Sequence, residues 1–413
     1  MNELKILGIS GSLRAGSYRR QGEGRVTVTV HGTVAAGFEE VRQVFATLAT
    51  EEDGLGAQLA VRHHGRQVVD LWTGPDMTGD SLLALYSSGK GAAHLVVALL
   101  VQDGTLDLDW RVADYWPEFA AEGKDEITLR DLLAHRAGLI GVEGGFSAAE
   151  LADDRVLAQR LAGQRPYWRP GSAYGYHAFV IGALTGEVVR RVTGWSTQEL
   201  YEERVRAPYG LDFHLGLPEE QEPRYLPVQP LSPDKQALAG PIAPDSLMGI
   251  AFNQNATPPT DLVEFANTRA VRALGPTSSG SVGNARGLAK LYAATIGEID
   301  GRPPLLNAAT LAEFTKPHTP GVDAVTGERD HFLLGFESLG VRYPELGADS
   351  FGHSGSVGAQ SFADPGSGIA YSYTRRRFTI GDGGGAPENR RLIGAVMRVI
   401  ASRKVSEDLD GRR

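Results

Sequence analysis

The chain carries Tyr86-Ser87-Ser88-Gly89-Lys90-Gly91 at the start of a strongly apolar run that ends before Asp103-Gly104. This run predicts a helix over Lys90 to Gln102, because Asp-Gly is a typical helix stop. Side chains three residues apart share one face of a helix, so the Lys90 amine is expected beside the Ser87 hydroxyl. A desolvated lysine has a lowered pKa and can accept the proton of a serine. Ser87 is therefore the candidate nucleophile and Lys90 its candidate base.

A second Ser-x-x-Lys pattern stands at Ser232-Pro233-Asp234-Lys235, at the end of a stretch rich in proline and polar residues. Such composition predicts a surface loop, where the helical geometry of the pair is not available, so this match is interpreted as chance. The chain contains no Gly-x-Ser-x-Gly elbow, no His-Glu-x-x-His zinc motif and no cysteine. These absences disfavour an α/β-hydrolase, a zinc peptidase and a cysteine nucleophile.

Strand patterns occur at both ends of the sequence, with mainly helical segments between them. Alternating apolar residues predict strands at Gln58 to Arg62, Gln67 to Trp72, His331 to Glu337, Gly358 to Ala363 and Ile369 to Tyr373. The economical arrangement is an α+β fold, in which one antiparallel sheet is built from both ends, flanked by helices, and interrupted by an inserted helical domain. We assign residues 25–110 and 290–403 to a discontinuous α/β domain, 111–289 to the helical domain and 404–413 to a charged tail.

Residues 1–24 do not fit this arrangement. Gly11-Ser12-Leu13-Arg14-Ala15-Gly16-Ser17 looks like the phosphate loop of flavodoxin-like FMN reductases, but no helix follows it to bind a phosphate. We interpret the segment as a loosely ordered remnant and predict no cofactor. No metal is predicted either: His63-His64-Gly65-Arg66 is interpreted as a hairpin turn between two strands, and adjacent residues of a strand point to opposite faces.

The net charge of −9 and the lack of a long basic run argue against a nucleic-acid partner. The first residues lack the apolar core of a signal peptide, and the apolar stretch Leu95 to Val101 is too short to span a bilayer. We therefore expect a soluble, cytoplasmic protein with no membrane partner. The sequence leaves the oligomeric state open.

Further motifs follow the first in a fixed order. They are Leu132-Leu133-Ala134-His135-Arg136-Ala137-Gly138-Leu139, Trp168-Arg169-Pro170-Gly171-Ser172-Ala173-Tyr174-Gly175-Tyr176 and Phe351-Gly352-His353-Ser354-Gly355-Ser356. Across residues 25 to 400 the series resembles the serine β-lactamase and penicillin-binding-protein superfamily. It is most similar to the family VIII carboxylesterases, which share the class C β-lactamase fold.

The resemblance implies a role for each matching residue. Ser87 would attack the acyl carbon, with Lys90 as base and Tyr176 as second candidate base and later acid. The backbone amides of Ser87 and Ser356 would form the oxyanion hole, and His353 and Gly355 would belong to the substrate-binding third motif. His135 is a landmark of the family, which we interpret as structural.

Two departures from the β-lactamase pattern bear on the substrate. Ala178 stands where β-lactamases carry an asparagine that contacts the substrate amide, and His353 stands where they carry a lysine. Both losses weaken recognition of a charged amide, so the sequence favours a small ester. Acyl transfer and hydrolysis of an amide, peptide or β-lactam remain alternatives, and so does a non-enzymatic binding module, against which the intact Ser87, Lys90 and Tyr176 argue.

Overall fold

The computed structural model describes residues 28–380 and 385–410, with side chains to residue 403. The proposed remnant at 1–24 lies outside this range. The strands are β1 (Val30–Val34), β2 (Ala57–His63), β3 (Arg66–Thr73), β4 (Leu83–Ala84), β5 (Phe213–His214), β6 (Val282–Gly283), β7 (Glu337–Ser338), β8 (Phe351–Ser354), β9 (Gln360–Asp364) and β10 (Ile369–Arg375).

The helices of the same residues alternate with long loops. They are α1 (Glu39–Glu51), α2 (Lys90–Gln102), α3 (Val112–Tyr115), α4 (Leu129–Leu133), α5 (Ala148–Leu151), α6 (Asp154–Ala162), α7 (Ile181–Thr193), α8 (Thr197–Tyr201), α9 (Ala207–Tyr209), α10 (Pro233–Gln236), α11 (Leu247–Ala251), α12 (Leu262–Asn267), α13 (Arg269–Leu274), α14 (Ala285–Ile296), α15 (Ala308–Phe314), α16 (Leu339–Arg342) and α17 (Glu388–Asp410). None of these helices is long and apolar enough to cross a bilayer.

A seven-stranded antiparallel sheet in the order β1-β3-β2-β10-β9-β8-β7 confirms the predicted α+β architecture. The β2–β3 hairpin pairs through β2 with β10, so both ends of the sequence meet in the middle of the sheet. Helices α1 and α17 pack against each other and share a buried core with one sheet face. Helix α14 covers the sheet over β2, β9 and β10, where Ala60, Ala285 and Ala289 form a small-residue contact.

Helix α2 passes through the main core and carries the first motif at its start. Every residue from Lys90 to Leu100 is buried, which explains why the helix is apolar on all sides. It packs against α7 and α8, and its first turn lies beside β8. The motif that contains Ser87 is therefore held between the helical region and the sheet.

Three predicted boundaries differ from the structure. The strand expected over His331 to Glu337 is wrong: only Glu337 and Ser338 pair with β8, because Gly335 adopts φ +76° and the chain turns back there. The boundary drawn between residues 289 and 290 falls inside α14, which packs on the sheet. Helix α17 continues to Asp410, into the segment predicted as a charged tail.

Candidate active site

Ser87 lies in a single turn of 3-10 helix, Tyr86–Gly89, that leads directly into α2. Three residues complete a 3-10 turn, so the side chains of Ser87 and Lys90 eclipse each other. Lys90 Nζ lies 2.9 Å from Ser87 Oγ. Ser87 is partly exposed, whereas Lys90 is fully buried. The hydroxyl can therefore meet a substrate while the amine stays behind it, out of solvent.

The Lys90 amine has two further contacts, both with backbone carbonyls. Nζ donates to Ala178 O and to Ser278 O, each at 2.7 Å. Burial is the main cause that lowers the pKa of Lys90 well below its usual value. When the amine is neutral, the two carbonyls keep its two N–H groups, and its lone pair is left in the direction of Ser87 Oγ.

Tyr176 contacts the same hydroxyl from the other side. Its phenol O–H group donates to Ser87 Oγ, and the two oxygen atoms lie 2.7 Å apart. The ring stacks on Phe332 at 5.5 Å and meets Phe252 edge-on at 6.2 Å, both measured between ring centroids. Burial raises the pKa of the phenol, so Tyr176 stays protonated in the resting protein. A proton chain from Tyr176 through Ser87 to Lys90 is consistent with every one of these contacts.

Two buried histidines fix the loop that carries Tyr176. His177 Nδ1 donates to Gly175 O at 2.7 Å, and its Nε2 accepts from Leu139 N at 3.1 Å. The His177 backbone amide donates to His135 Nδ1 at 3.1 Å. Burial lowers the pKa of His177 to about 4, which keeps the ring neutral. His135 is thus a structural residue here, and His177, which sequence reasoning left without a role, is its partner.

The third motif ends beside the turn that carries Ser87. A Cβ atom on Gly355 would lie 2.4 Å from Leu85 O and 3.0 Å from Ser88 Oγ, so no larger residue fits without displacement of the backbone. Ser356 follows in a tight turn that is closed by a hydrogen bond from Gly358 N to Gly355 O at 2.7 Å. The structure thus brings the strand end that carries Ser356 against the turn of Ser87.

His353 lies in β8, with its ring 6.0 Å from that of Tyr176 between centroids. Its Nδ1 lies 2.9 Å from Ser354 O and 3.3 Å from Glu337 Oε1, and both of these are acceptors, so Nδ1 carries the proton. Burial lowers the pKa of His353 to about 4. The residue in the place of the β-lactamase lysine is therefore a neutral ring at pH 7.

The second Ser-x-x-Lys pattern has a different environment. Lys235 Nζ bonds Glu52 Oε2 at 2.9 Å and Thr379 Oγ1 at 3.0 Å, which is a surface ion pair and not a base beside a serine. Within the described ranges, no three histidine, aspartate or glutamate side chains gather as a metal site would require. Sequence reasoning missed Glu337, a buried carboxylate next to His353, whose one local signal is its position directly after an apolar segment.

The antiparallel sheet with a helical insertion, and a serine, lysine and tyrosine meeting at the start of its buried helix, define the class of serine β-lactamases and penicillin-binding proteins. The chain belongs to the Beta-lactamase family, whose pattern matches residues 41–395. It is 30% identical over 369 residues to the esterase/beta-lactamase LipL of Mycobacterium tuberculosis, a match that covers 84% of this chain and 83% of that protein.

Solved structures show the same relationship. EstA from Arthrobacter nitroguajacolicus superposes with a TM-score of 0.83 at 39% identity, over 89% of this chain and 98% of that one. A family VIII carboxylesterase superposes with a TM-score of 0.80 at 34% identity, over 90% of this chain and all of that one. The relatives of this chain thus include enzymes named as esterases.

Proposed function

We propose that this protein is a serine carboxylesterase that cleaves small carboxylic esters through a covalent acyl-Ser87 intermediate. The observation that carries the proposal is the position of Ser87 Oγ, 2.9 Å from Lys90 Nζ and 2.7 Å from Tyr176 OH. A nucleophile needs an adjacent base and an oriented proton, and this arrangement supplies both. The two relatives named as esterases at 34% and 30% identity support the assignment.

Acylation begins with attack of Ser87 Oγ on the carbonyl carbon of the ester, while the hydroxyl proton moves to neutral Lys90. The negative oxygen of the tetrahedral intermediate would be held by the backbone amides of Ser87 and Ser356. The intermediate collapses when the C–O bond to the alcohol breaks. The departing oxygen takes the phenol proton of Tyr176, and the Lys90 ammonium restores that proton. The products are an alcohol and acyl-Ser87.

Deacylation repeats these steps with water in place of the alcohol. Water gives a proton to the Tyr176–Lys90 pair as its oxygen attacks the acyl carbon, and the bond to Ser87 Oγ then breaks. Ser87 regains its proton and a carboxylic acid leaves. A second alcohol in place of water would give acyl transfer by the same chemistry.

The preference for esters rests on what the site does not offer. Ala178 has no side-chain amide for a substrate amide, and His353 is neutral because its pKa is about 4. A β-lactam therefore loses two polar contacts, each worth on the order of 1–3 kcal/mol. Weak β-lactam hydrolysis is the second candidate, because the relative LipL is named both esterase and beta-lactamase.

Intact-protein mass spectrometry after exposure to a fluorophosphonate tests the proposal. The wild type should gain the mass of one phosphonyl group, and Ser87→Ala should gain none. The Ser232→Ala variant serves as the matched control and should label like the wild type. Labelling that persists in Ser87→Ala, or ester hydrolysis by that variant at the wild-type rate, would contradict the assignment.

A further inference from the structure

Glu337 places a buried carboxylate at the edge of the candidate site. One oxygen, Oε1, accepts from Ser354 Oγ at 2.7 Å and lies 3.3 Å from His353 Nδ1. The other, Oε2, accepts from Ser354 N at 3.1 Å and from Arg342 Nη1 at 2.8 Å. Glu337 is 5% exposed. The Glu337 side chain therefore contacts three groups of β8, which are the backbone amide and the hydroxyl of Ser354 and the imidazole of His353.

Arg342 balances this carboxylate and ties it to a second one. Its Nη2 donates to Glu328 Oε2 at 2.8 Å, and only 9% of the Arg342 side chain is exposed. Burial alone would raise the pKa of Glu337, but the nearby positive charge of Arg342 and the donors of β8 outweigh it and hold the value at about 2. Glu337 is ionised over the whole working range of an esterase.

The charge of Glu337 affects the pKa of Lys90. Burial lowers the pKa of Lys90, and the Glu337 carboxylate acts in the opposite direction. Arg342 also acts on the third motif, since its positive charge is one of the causes that lower the pKa of His353 after burial itself. The other titratable groups close to Lys90 are Asp154, His94, His135, His353 and Tyr176.

The three histidines among these groups are held neutral. Burial lowers the pKa of His94 to about 3, and it also lowers those of His135 and His353. Burial raises the pKa of Asp154, whose carboxylate accepts from Thr277 Oγ1 at 2.8 Å. Glu337 is therefore the larger of the two acidic contributions that raise the pKa of Lys90, ahead of Asp154, and it is paired with Arg342.

We propose that Glu337 is a positioning residue of the esterase site: its carboxylate holds the third-motif strand against the nucleophile turn and, balanced by Arg342, sets the charge environment in which Lys90 acts as the base. The inference rests on the proposed function, because it assigns the role of base to Lys90. A merely structural ion pair would stabilise β7 and β8 without influence on the proton affinity of Lys90.

Substitutions of Glu337 and of Arg342 should move the acid limb of the pH profile in opposite directions. Glu337→Gln removes the negative charge and leaves Arg342, which favours neutral Lys90, so the acid limb of kcat/KM should move to lower pH. Arg342→Gln leaves Glu337 without its nearest positive charge and should move the limb to higher pH. One charge within the protein at an effective dielectric constant of about 20 corresponds to a shift on the order of one pH unit.

The experiment is the pH profile of kcat/KM for p-nitrophenyl acetate, with the spontaneous rate subtracted. The variants are Glu337→Gln, Arg342→Gln and the double variant, in which the limb should return toward the wild-type position although kcat stays reduced. The matched control is Glu187→Gln, which removes a carboxylate that is paired with Arg190 and Arg191 on α7. Its limb should coincide with that of the wild type.

Limbs that stay in place in both single variants, or that move in the same direction, overturn the proposal. If Glu337→Gln does not fold, as judged by its melting curve, Arg342→Gln and the double variant decide it. Wild-type activity that persists in Ser87→Ala would instead refute the esterase assignment itself. Ser87-dependent activity with unshifted limbs refutes the role of Glu337 alone.

Discussion

The backbone carbonyl of Ala178 accepts a hydrogen bond from Lys90 Nζ at 2.7 Å, while its side chain is a single methyl group. The residue two places after Tyr176 therefore contacts Lys90 through its backbone and offers a substrate no polar side chain. Because the contact with Lys90 is made by the backbone, a larger side chain at position 178 does not remove it.

This separation of roles makes substrate choice testable. Short esters should exceed cephalosporins in kcat/KM by orders of magnitude, since a β-lactam finds neither an amide at Ala178 nor a cation at His353. The double variant Ala178→Asn/His353→Lys should move the ratio toward the β-lactam, because each contact is worth roughly ten- to a hundredfold. The measurement is kcat/KM for nitrocefin and p-nitrophenyl butyrate. A wild type that already prefers nitrocefin would replace the esterase assignment with a β-lactamase.

Lys90→Arg should abolish turnover. A guanidinium stays protonated at every accessible pH, so it cannot accept the Ser87 proton, although it keeps N–H donors for the two carbonyls. We expect kcat for p-nitrophenyl acetate to fall by about a thousandfold, within the range of general-base effects. Circular dichroism checks the fold. Activity within tenfold of the wild type would show that Lys90 is not the base.

Tyr176→Phe should discriminate between leaving groups. p-Nitrophenolate leaves without a proton, whereas an aliphatic alkoxide needs one from the acid. The variant should therefore lose considerably more kcat on ethyl butyrate than on p-nitrophenyl butyrate, with acid release followed by titration. Equal losses on the two esters would remove Tyr176 from the role of acid and leave it as a residue that orients Ser87.

Gly355→Ala should damage catalysis through the backbone. The new methyl would sit 2.4 Å from Leu85 O, so the end of β8 must move away from the nucleophile turn. A displacement of about 1 Å can cost a hundredfold in rate, and we expect a loss of that order in kcat/KM. Gly163→Ala is the matched control, since nothing lies near its Cβ and its φ is −90°. Equal activity of the two variants would contradict the close approach.

His177 should make the protein acid-sensitive. Its pKa is about 4 in the folded chain and about 6.5 in the unfolded chain, so the unfolded state binds more protons between these values. The contribution of His177 to the free energy of unfolding is fully present above pH 6.5. It is lost as the pH falls toward 4, and the loss amounts to about 3 kcal/mol. His177→Gln should be less stable at pH 7 and should lose less free energy of unfolding between pH 7 and 4.5. Denaturant titrations at both pH values measure the difference, and equal losses would refute the effect.

Local sequence patterns predicted much of this molecule. Helix α2 begins and ends where the apolar run and Asp103-Gly104 indicated, because both signals act within one segment. The hairpin of β2 and β3 turns at His64 and Gly65, as the alternating pattern predicted. The motifs also indicated that Ser87, Lys90 and Tyr176 would meet, since the family resemblance carries long-range information that periodicity lacks.

The rest depended on contacts that leave no local trace. Ser278 lies 188 positions from Lys90 and holds it through a backbone carbonyl, which any residue type could provide. His135 and His177 are 42 positions apart, and no pattern in either segment indicates that the two residues are in contact. The apolar residues before Glu337 imitate a strand because they are buried, although their backbone turns at Gly335.

The order of strands in the sheet also governs when activity arises during synthesis. Thr374 Oγ1 of β10 meets Gln58 Oε1 of β2 at 3.3 Å, across 316 positions of sequence. During synthesis on the ribosome, one edge of β2 stays unpaired until β10 has emerged. An unpaired strand edge can pair with other chains. Ser87 and Lys90 are made early, but Gly355 and Ser356 arrive only with that late segment. A chain that stops short of this segment has neither Gly355 and Ser356 nor the β10 partner of β2, so the candidate site can form only after residue 375 has been made.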